Sequence, residues 1–231
     1  MDRIDENVVE LLYKIDSTGY DSYIVGGAIR DIIMGNIPDD YDICTNAPLD
    51  VIEDLFKDDI VDTTGKGLLS IKVKFKDKVY EITNTRVEYE YKKAGYPSKV
   101  ELTNSIHEDL KRRDFTINAL AYSLKYKLID DYNSIDDINK KIIRTIGNPI
   151  QRFKEDPIRI LRGIRFAICL NFEIEENTYE AMKLTVDNLD KVPIKKIKKE
   201  LQKILSHHNK DKAIKILKEL NILNSCQHLI K

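Results

Sequence analysis

Apolar residues near the start of the chain recur at Val8, Leu11, Leu12 and Ile15, the spacing of one face of an amphipathic helix, and Gly19 ends the pattern as a C-cap. The period then shortens. Ser22–Val25 is a β-rich run ending in Gly26-Gly27, Ala28–Met34 returns to helical spacing and stops at Gly35, and Tyr41–Cys44 predicts another short strand. Pro48 and the acidic residues after it open a helix through Phe56. From Leu69 to Phe75, Ile71, Val73 and Phe75 alternate with lysines, the signature of a half-buried strand. Asp77-Lys78 then predicts a turn, and Val79–Thr83 a hairpin partner. Glu88–Lys99 is polar, rich in tyrosine and lysine, and holds Gly95 and Pro97; it predicts a mobile loop.

After Tyr132 the strand signals fade and helical spacing takes over. Ile194, Ile197, Leu201, Ile204 and Leu205 form one stripe, and Ile214, Leu217, Leu220 and Ile222 another. The expected organisation is an α/β head over 1–138 followed by an all-helical module over 139–231, with no internal repeat.

The 231 residues are 42% hydrophobic and 33% charged, enough apolar material for a core and too much charge for a membrane protein. No apolar run approaches the length of a membrane span, and Met1–Glu10 is too polar and acidic for a signal peptide. Cys44, Cys169 and Cys226 lie far apart, without CxxC spacing, and read as free thiols of a cytoplasmic protein. His107, His207, His208 and His228 lack metal-ligand spacing. The net charge of −1 points to no partner, but lysines 195, 196, 198, 199, 203, 210, 212, 215 and 218 crowd the C-terminal stretch. They suit RNA phosphates and equally the solvated side of ordinary helices.

The chemistry centres on Gly26-Gly27 and, fourteen residues after Gly26, Asp40-Tyr41-Asp42. Carboxylates at i and i+2 of a strand point to one face, where like charges repel unless a cation lies between them. Oxygen-only ligands favour Mg²⁺, which completes its shell with water and substrate phosphates. A glycine pair at a strand-to-helix junction lets a phosphate approach backbone N–H groups, and equally serves a tight turn. Glu81 interrupts an apolar strand and is the candidate third acid. Its other reading is an exposed strand position.

Three ordered stretches sharpen the picture. Val25-Gly26-Gly27-Ala28-Ile29-Arg30-Asp31 leads through Gly35 to Asp40-Tyr41-Asp42. Arg112-Arg113-Asp114-Phe115-Thr116-Ile117-Asn118-Ala119 follows. Read by itself, its Lys111–Arg113 is a basic cluster opening an amphipathic helix. Last comes Glu155-Asp156-Pro157-Ile158-Arg159-Ile160-Leu161-Arg162-Gly163-Ile164-Arg165-Phe166, whose Asp156, Arg159 and Arg162 are spaced to share one helix face. A carboxylate and a guanidinium together match the Watson–Crick edge of a base. They also make an ordinary N-cap and ion pair.

In this order, over roughly residues 22–205, the stretches resemble the class II tRNA nucleotidyltransferase (CCA-adding enzyme) and bacterial poly(A) polymerase family. The resemblance implies a nucleotidyltransferase head with a mixed, largely antiparallel sheet and flanking helices, followed by an all-α neck. It implies that Asp40 and Asp42 hold catalytic Mg²⁺, and that Gly26, Gly27 and Arg30 lie by the triphosphate. It further implies that Arg113, Asp114 and Asn118 select ribose, and that Asp156 and Arg159, supported by Arg162, choose CTP or ATP without a nucleic-acid template. The Arg86–Val100 segment resembles the family's flexible loop, with Lys92-Lys93 as its basic pair, and Asp130 stands where a hinge-region acid is found. The chain departs from the family at Lys195-Lys196, where an arginine is usual, and around Gly65-Lys66-Gly67, which lacks a histidine. Members of the family continue with further helical domains beyond the point corresponding to Lys231.

The expected activity is addition of C and A to the 3′ end of tRNA, with pyrophosphate released. Poly(A) addition and A-only addition are alternatives within the family, and a catalytically silent RNA-binding module is the alternative of another class.

Overall fold

The computed structural model describes residues 3–65, 69–92 and 94–222. Met1, Lys66, Gly67, Lys93, Cys226, His228 and Lys231, named above, lie outside them. The chain separates into two compact units. The first comprises 1–87, 101–113 and 117–135, the second 88–100, 114–116 and 136–231.

The first unit opens with α1 (Glu6–Asp16), whose N-cap Asp5 accepts a hydrogen bond from the Asn7 N–H and whose Val8, Leu11, Leu12 and Ile15 are all buried. Then come β1 (Ser22–Val25), α2 (Gly27–Ile33), β2 (Asp42–Thr45), α3 (Leu49–Leu55), β3 (Ile60–Asp62), β4 (Ser70–Phe75) and β5 (Lys78–Asn84). Past β6 (Arg86–Tyr89) and β7 (Lys99–Leu102), each divided between the two units, α4 (Ile106–Lys111), β8 (Leu120–Ser123) and β9 (Lys127–Asp130) complete it. The sheet order is β3-β4-β5-β2-β1-β8-β9. Every pairing is antiparallel except β2 with β5. The parallel pair places Asp42 beside Glu81 and Cys44 beside Thr83.

Pairing fixes the faces, because residues opposite one another across a ladder share a side. Tyr23, Val25, Cys44 and Ala121 lie on one face and pack against Ile106 and Leu110 of α4. Asp42 pairs with Val25 and stands at the end of that same face. β1 is buried at all four positions, which explains why it reads as a continuous run rather than an alternating one.

Three expectations shift. The turn between β4 and β5 is Lys76-Asp77, not Asp77-Lys78, since Phe75 pairs with Lys78 and Lys76 takes a positive φ of 54°. The segment read as a loop from Glu88 to Lys99 is framed by β6 and β7, which pair as a two-stranded sheet. Lys111–Arg113 closes α4 rather than opening a helix.

The second unit is mostly helical, as α5 (Ser134–Lys140) leads through the two-residue β10 (Ile142–Ile143) into α6 (Pro149–Glu155) and α7 (Ile158–Cys169). β11 (Glu173–Ile174) pairs parallel with β10. α8 (Glu176–Thr185), α9 (Ile194–Leu205) and α10 (Lys210–Glu219) follow. The axis of this core is α7, with Ile160, Leu161, Ile164 and Ile168 fully buried among Phe153, Phe172, Met182 and Ile197. Of the first predicted stripe, Ile197, Leu201 and Ile204 are buried while Leu205 is exposed. Phe115 belongs to this core despite its position in the first half of the chain. It stacks edge-on against Phe166 with centroids 5.9 Å apart and bridges to Thr145. Its fit requires Gly163, where an added Cβ would lie 2.8 Å from Phe115 Cζ and 2.6 Å from Met182 Cε.

Candidate active site

In the first unit, the buried Tyr41 separates exposed Asp40 from exposed Asp42. The strand proper starts at Asp42, leaving Asp40 in the preceding loop. The Asp42 carboxyl is raised above the ordinary carboxylate value of 3.8, first by crowding from surrounding protein, then by repulsion from Asp40 and Glu81, against the pull of Arg113. Glu81 is thus close enough to be felt electrostatically, and one of its oxygens accepts a 2.7 Å hydrogen bond from Ser70 Oγ.

Arg113 is held by Asp109. That fully buried carboxylate receives Arg113 Nη2 at 3.0 Å, Arg112 Nη2 at 2.8 Å and Arg112 Nε at 2.9 Å. Burial pushes Asp109 upward, but the two guanidiniums outweigh it and keep its pKa below the usual range. Arg113 also overlies Gly26, where a Cβ would sit 3.2 Å from its Nη1 and where φ is +73°. Gly26 is therefore required both by its backbone and by the approach of the arginine. Gly27 begins α2, which no side chain caps.

Arg30, expected by the triphosphate, has its guanidinium on neighbouring side chains. It is buried, with Nε and Nη2 on Asp31 Oδ1 at 2.9 and 2.8 Å and Nη1 on Asn118 Oδ1 at 2.7 Å. Arg30 thereby orients Asn118, which ends a 3-10 turn over Thr116–Asn118. Asp130 accepts the N–H groups of Ser134 and Ile135 at 2.7 and 3.0 Å and starts α5.

In the second unit, Asp156 precedes α7 and accepts the N–H of Ile158, while its pKa is raised by burial against the pull of Arg159, Lys196 and Arg162. The helix begins at Ile158, so Asp156 stands before the helix on which Arg159 and Arg162 sit, rather than on its face. Arg159 is buried and donates from Nη1 to Arg152 O at 3.1 Å and Glu155 Oε2 at 3.2 Å. Glu155 also takes Arg152 Nη1 at 2.8 Å. The segment between β6 and β7 lies on this cluster. Gly95 N–H donates to Glu155 O at 2.9 Å, and a Cβ on Gly95 would stand 2.6 Å from Asp156 Oδ1. Lys196 Nζ lies 4.2 Å from the centre of the Tyr96 ring. Asp114 belongs here too, joined to Arg162 at 2.6 Å.

The sequence reading missed Asp109 and Glu155. Both were detectable, because Asp109 lies three and four residues from Arg112 and Arg113, and Glu155 three and four from Arg152 and Arg159, the spacing of helical ion pairs.

Among the described residues no group of three or more acids, histidines or cysteines is gathered in metal-holding geometry. Mg²⁺ does not need one, since it commonly takes one or two carboxylates and fills its shell with water and phosphate. Asp40 and Asp42, exposed and mutually repelling, fit that requirement. Glu81, already engaged by Ser70, adds charge beside them.

Residues 22–144 match the poly A polymerase head domain, and residues 171–227 match the probable RNA and SrmB-binding site of polymerase A. The chain is 38% identical over 221 residues to the CCA-adding enzyme of Staphylococcus epidermidis, covering 96% of this chain and 55% of that protein. It is 39% identical over 219 residues to the corresponding Staphylococcus aureus (strain Newman) enzyme, covering 95% of this chain and 54% of the relative. It thus spans about half the length of the curated relatives it matches. Among solved structures it is similar to the Bacillus stearothermophilus CCA-adding enzyme in complex with CTP, with a TM-score of 0.82, 30% identity, and coverage of 93% of this chain and 51% of that one. A tRNA nucleotidyltransferase complexed with a primer tRNA and an incoming ATP analog matches with a TM-score of 0.77 at 28% identity, over 93% of this chain and 61% of the other. With its head-domain match covering more than half the chain and the expected glycine, Asp-x-Asp and arginine motifs in place, the chain belongs to the poly A polymerase head-domain family.

Proposed function

We propose that the protein is a metal-dependent, template-independent nucleotidyltransferase that adds C and A to the 3′ end of tRNA from CTP and ATP. In this reading the RNA 3′-hydroxyl attacks the α-phosphate and pyrophosphate leaves. The observation that carries it is the pair of exposed carboxylates, Asp40 and Asp42, crowded enough to raise the Asp42 pKa and flanked by Arg113.

Asp40 and Asp42 would hold Mg²⁺, which supplies charge neutralisation at the attacking and leaving oxygens. Glu81 adds negative charge beside them. Arg113 pairs with phosphate or ribose oxygens from its anchor on Asp109, while Gly26 and Gly27 leave the backbone accessible to a triphosphate. Arg30 orients Asn118 for the ribose. In the second unit, Asp156 and Arg159 select the base, and exposed Lys195, Lys198, Lys199 and Lys203 on α9 meet RNA phosphates. The first unit corresponds to a catalytic head and the second to a base-selecting neck. Buried Cys44 and exposed Cys169 are free thiols, which suits a reducing cytoplasm.

Incubation with tRNA ending before C, CC and CCA, with Mg²⁺ and each nucleoside triphosphate in turn, tests the reading. Ordered addition of C, C and A supports it, and Asp42→Ala should fold yet lose incorporation by several orders of magnitude. No labelling of any primer by the wild type would refute it. The head-domain match also permits poly(A) addition, which would be recognised by long A tracts on arbitrary RNA. A silent RNA-binding module would bind these primers and extend none.

A further inference from the structure

Only half of the Asp-x-Asp stretch belongs to the sheet. Asp42 starts β2 and pairs with Val25 and Glu81, whereas Asp40 lies in the loop that leads there from Gly35, outside both ladders. Among the described residues no backbone hydrogen bond holds residues 37–40, and Ile37 is 82% exposed. The loop borders a cavity of about 600 Å³, with Ile37, Pro38 and Tyr41 in its wall. Packing against the loop is therefore sparse, and the placing of Asp40 falls to its neighbour Tyr41, which is buried.

The residues just before α1 line the same cavity and tie both ends of the loop. Arg3 Nη1 donates to the carbonyl of Gly35, where the loop begins. The Asp5 N–H donates to the Tyr41 hydroxyl at 3.3 Å, where it ends. Asp5 is itself fixed by two further bonds. Its Oδ1 accepts the Asn7 N–H at 2.9 Å as the α1 N-cap, and its Oδ2 accepts Lys78 Nζ at 2.6 Å from the first residue of β5. A second ion pair, Lys76 Nζ with Glu10 at 2.6 Å, joins the same hairpin to α1. The Tyr41 hydroxyl thus rests on a backbone group whose place is set by α1 and by the β4–β5 hairpin together.

We infer that Tyr41 is a positioning residue: its hydroxyl, held by Asp5 and through Asp5 by Lys78, sets where the Asp40 carboxylate stands relative to Asp42 and so tunes the hold of this pair on a divalent cation. The inference rests on the reading of Asp40 and Asp42 as the cation-holding pair and deepens it. Mg²⁺ tolerates little departure from its preferred geometry, and a carboxylate fixed in place beforehand loses less freedom when the ion arrives. Phenylalanine at position 41 would keep the buried ring and lose only the tie.

The test titrates Mn²⁺, in place of Mg²⁺ and without nucleotide or RNA, into wild type, Tyr41→Phe, Lys78→Met, the double variant and Asp42→Ala. Free Mn²⁺ is read by electron paramagnetic resonance, with thermal midpoints measured alongside. Tyr41→Phe should weaken binding by about fivefold, the scale of one net hydrogen bond. Lys78 acts through Asp5 by an ion pair whose lysine is 56% exposed, so Lys78→Met should weaken binding by only about twofold. Its direction is the sharper result. Removing a cation from the unit that carries the two carboxylates, acting by charge alone, tightens the hold on Mn²⁺, whereas loss of the tie loosens it. With the hydroxyl already gone in Tyr41→Phe, Lys78→Met should weaken binding no further. Unchanged binding in Tyr41→Phe overturns the inference, and so does tighter binding in Lys78→Met. Should Tyr41→Phe fail to fold, the direction of the Lys78→Met effect decides. Wild type that holds Mn²⁺ no better than Asp42→Ala removes the cation reading of the pair, and the inference with it. Wild type that holds Mn²⁺ better than Asp42→Ala, but no better than Tyr41→Phe, overturns the positioning role alone.

Discussion

Replacing Asp109 by asparagine is the sharpest available test of how the first unit holds its arginines. Asp109 is a fully buried residue of α4, and its two oxygens collect three guanidinium hydrogen bonds from Arg112 and Arg113 and the N–H of Arg86 at 3.3 Å. Removing one partner of a buried ion pair costs about 3–5 kcal/mol, chiefly because the remaining charge is left without compensation. Asparagine keeps one acceptor oxygen, and the side chains of Arg112 and Arg113 retain 19% and 16% exposure, so both can draw in some water. The lower end, about 3 kcal/mol, is expected. With a urea slope of about 2 kcal/mol per molar, the midpoint should fall by about 1.5 M. Cys44 is buried on the same sheet face and close enough to Asp109 that the carboxylate helps to raise its thiol, with burial the larger cause, to about 12. Its labelling by a thiol reagent, with Cys169 and Cys226 replaced by serine, reports the opening of this unit alone. The depressed Asp109 pKa adds a signed control. Its stabilisation is complete above the ordinary carboxylate value of 3.8 and is lost as pH falls through the lower folded value. Asp109→Asn should lack that acid-dependent loss. A midpoint within about 0.2 M of wild type, on the scale set by the same slope, would refute the reasoning.

Three further outcomes follow from the geometry. Gly26→Ala places a Cβ 3.2 Å from Arg113 Nη1 at a φ of +73°, so calorimetry should register about 1–2 kcal/mol of destabilisation, accompanied by weaker CTP binding. Gly95→Ala would set a Cβ 2.6 Å from Asp156 Oδ1 at a φ of +70°, so limited proteolysis between β6 and β7 should accelerate while the thermal midpoint barely moves. Because Asp42 is raised above 3.8, the acid limb of nucleotide incorporation should lie above that value and move to lower pH as Mg²⁺ is increased; a limb indifferent to Mg²⁺ would argue against Asp42 as a ligand.

The candidate site was legible where chemistry depends on local spacing. Asp40 and Asp42 are exposed on either side of a buried Tyr41, and Gly26 takes the positive φ that its place between strand and helix implied. Arg30 and Asp114 were not legible, because each is defined by a partner distant in sequence: Asn118 for Arg30 and Arg162 for Asp114. The family resemblance identified both as site residues without indicating the side chain that each engages.

Hydrophobic periodicity by itself determined α1, α2, α3, α9 and α10, the β4–β5 hairpin and the succession of a mixed α/β region by a helical one, because burying one face of a helix or strand is a local requirement repeated along the chain. It could not assign 88–100 and 114–116 to the helical unit, nor place Glu81 beside Asp42 across a parallel pairing. Those assignments depend on which apolar surfaces meet. Phe115 fits against Gly163 because that position has no side chain, a complementarity that exists only once α7 has formed and packed.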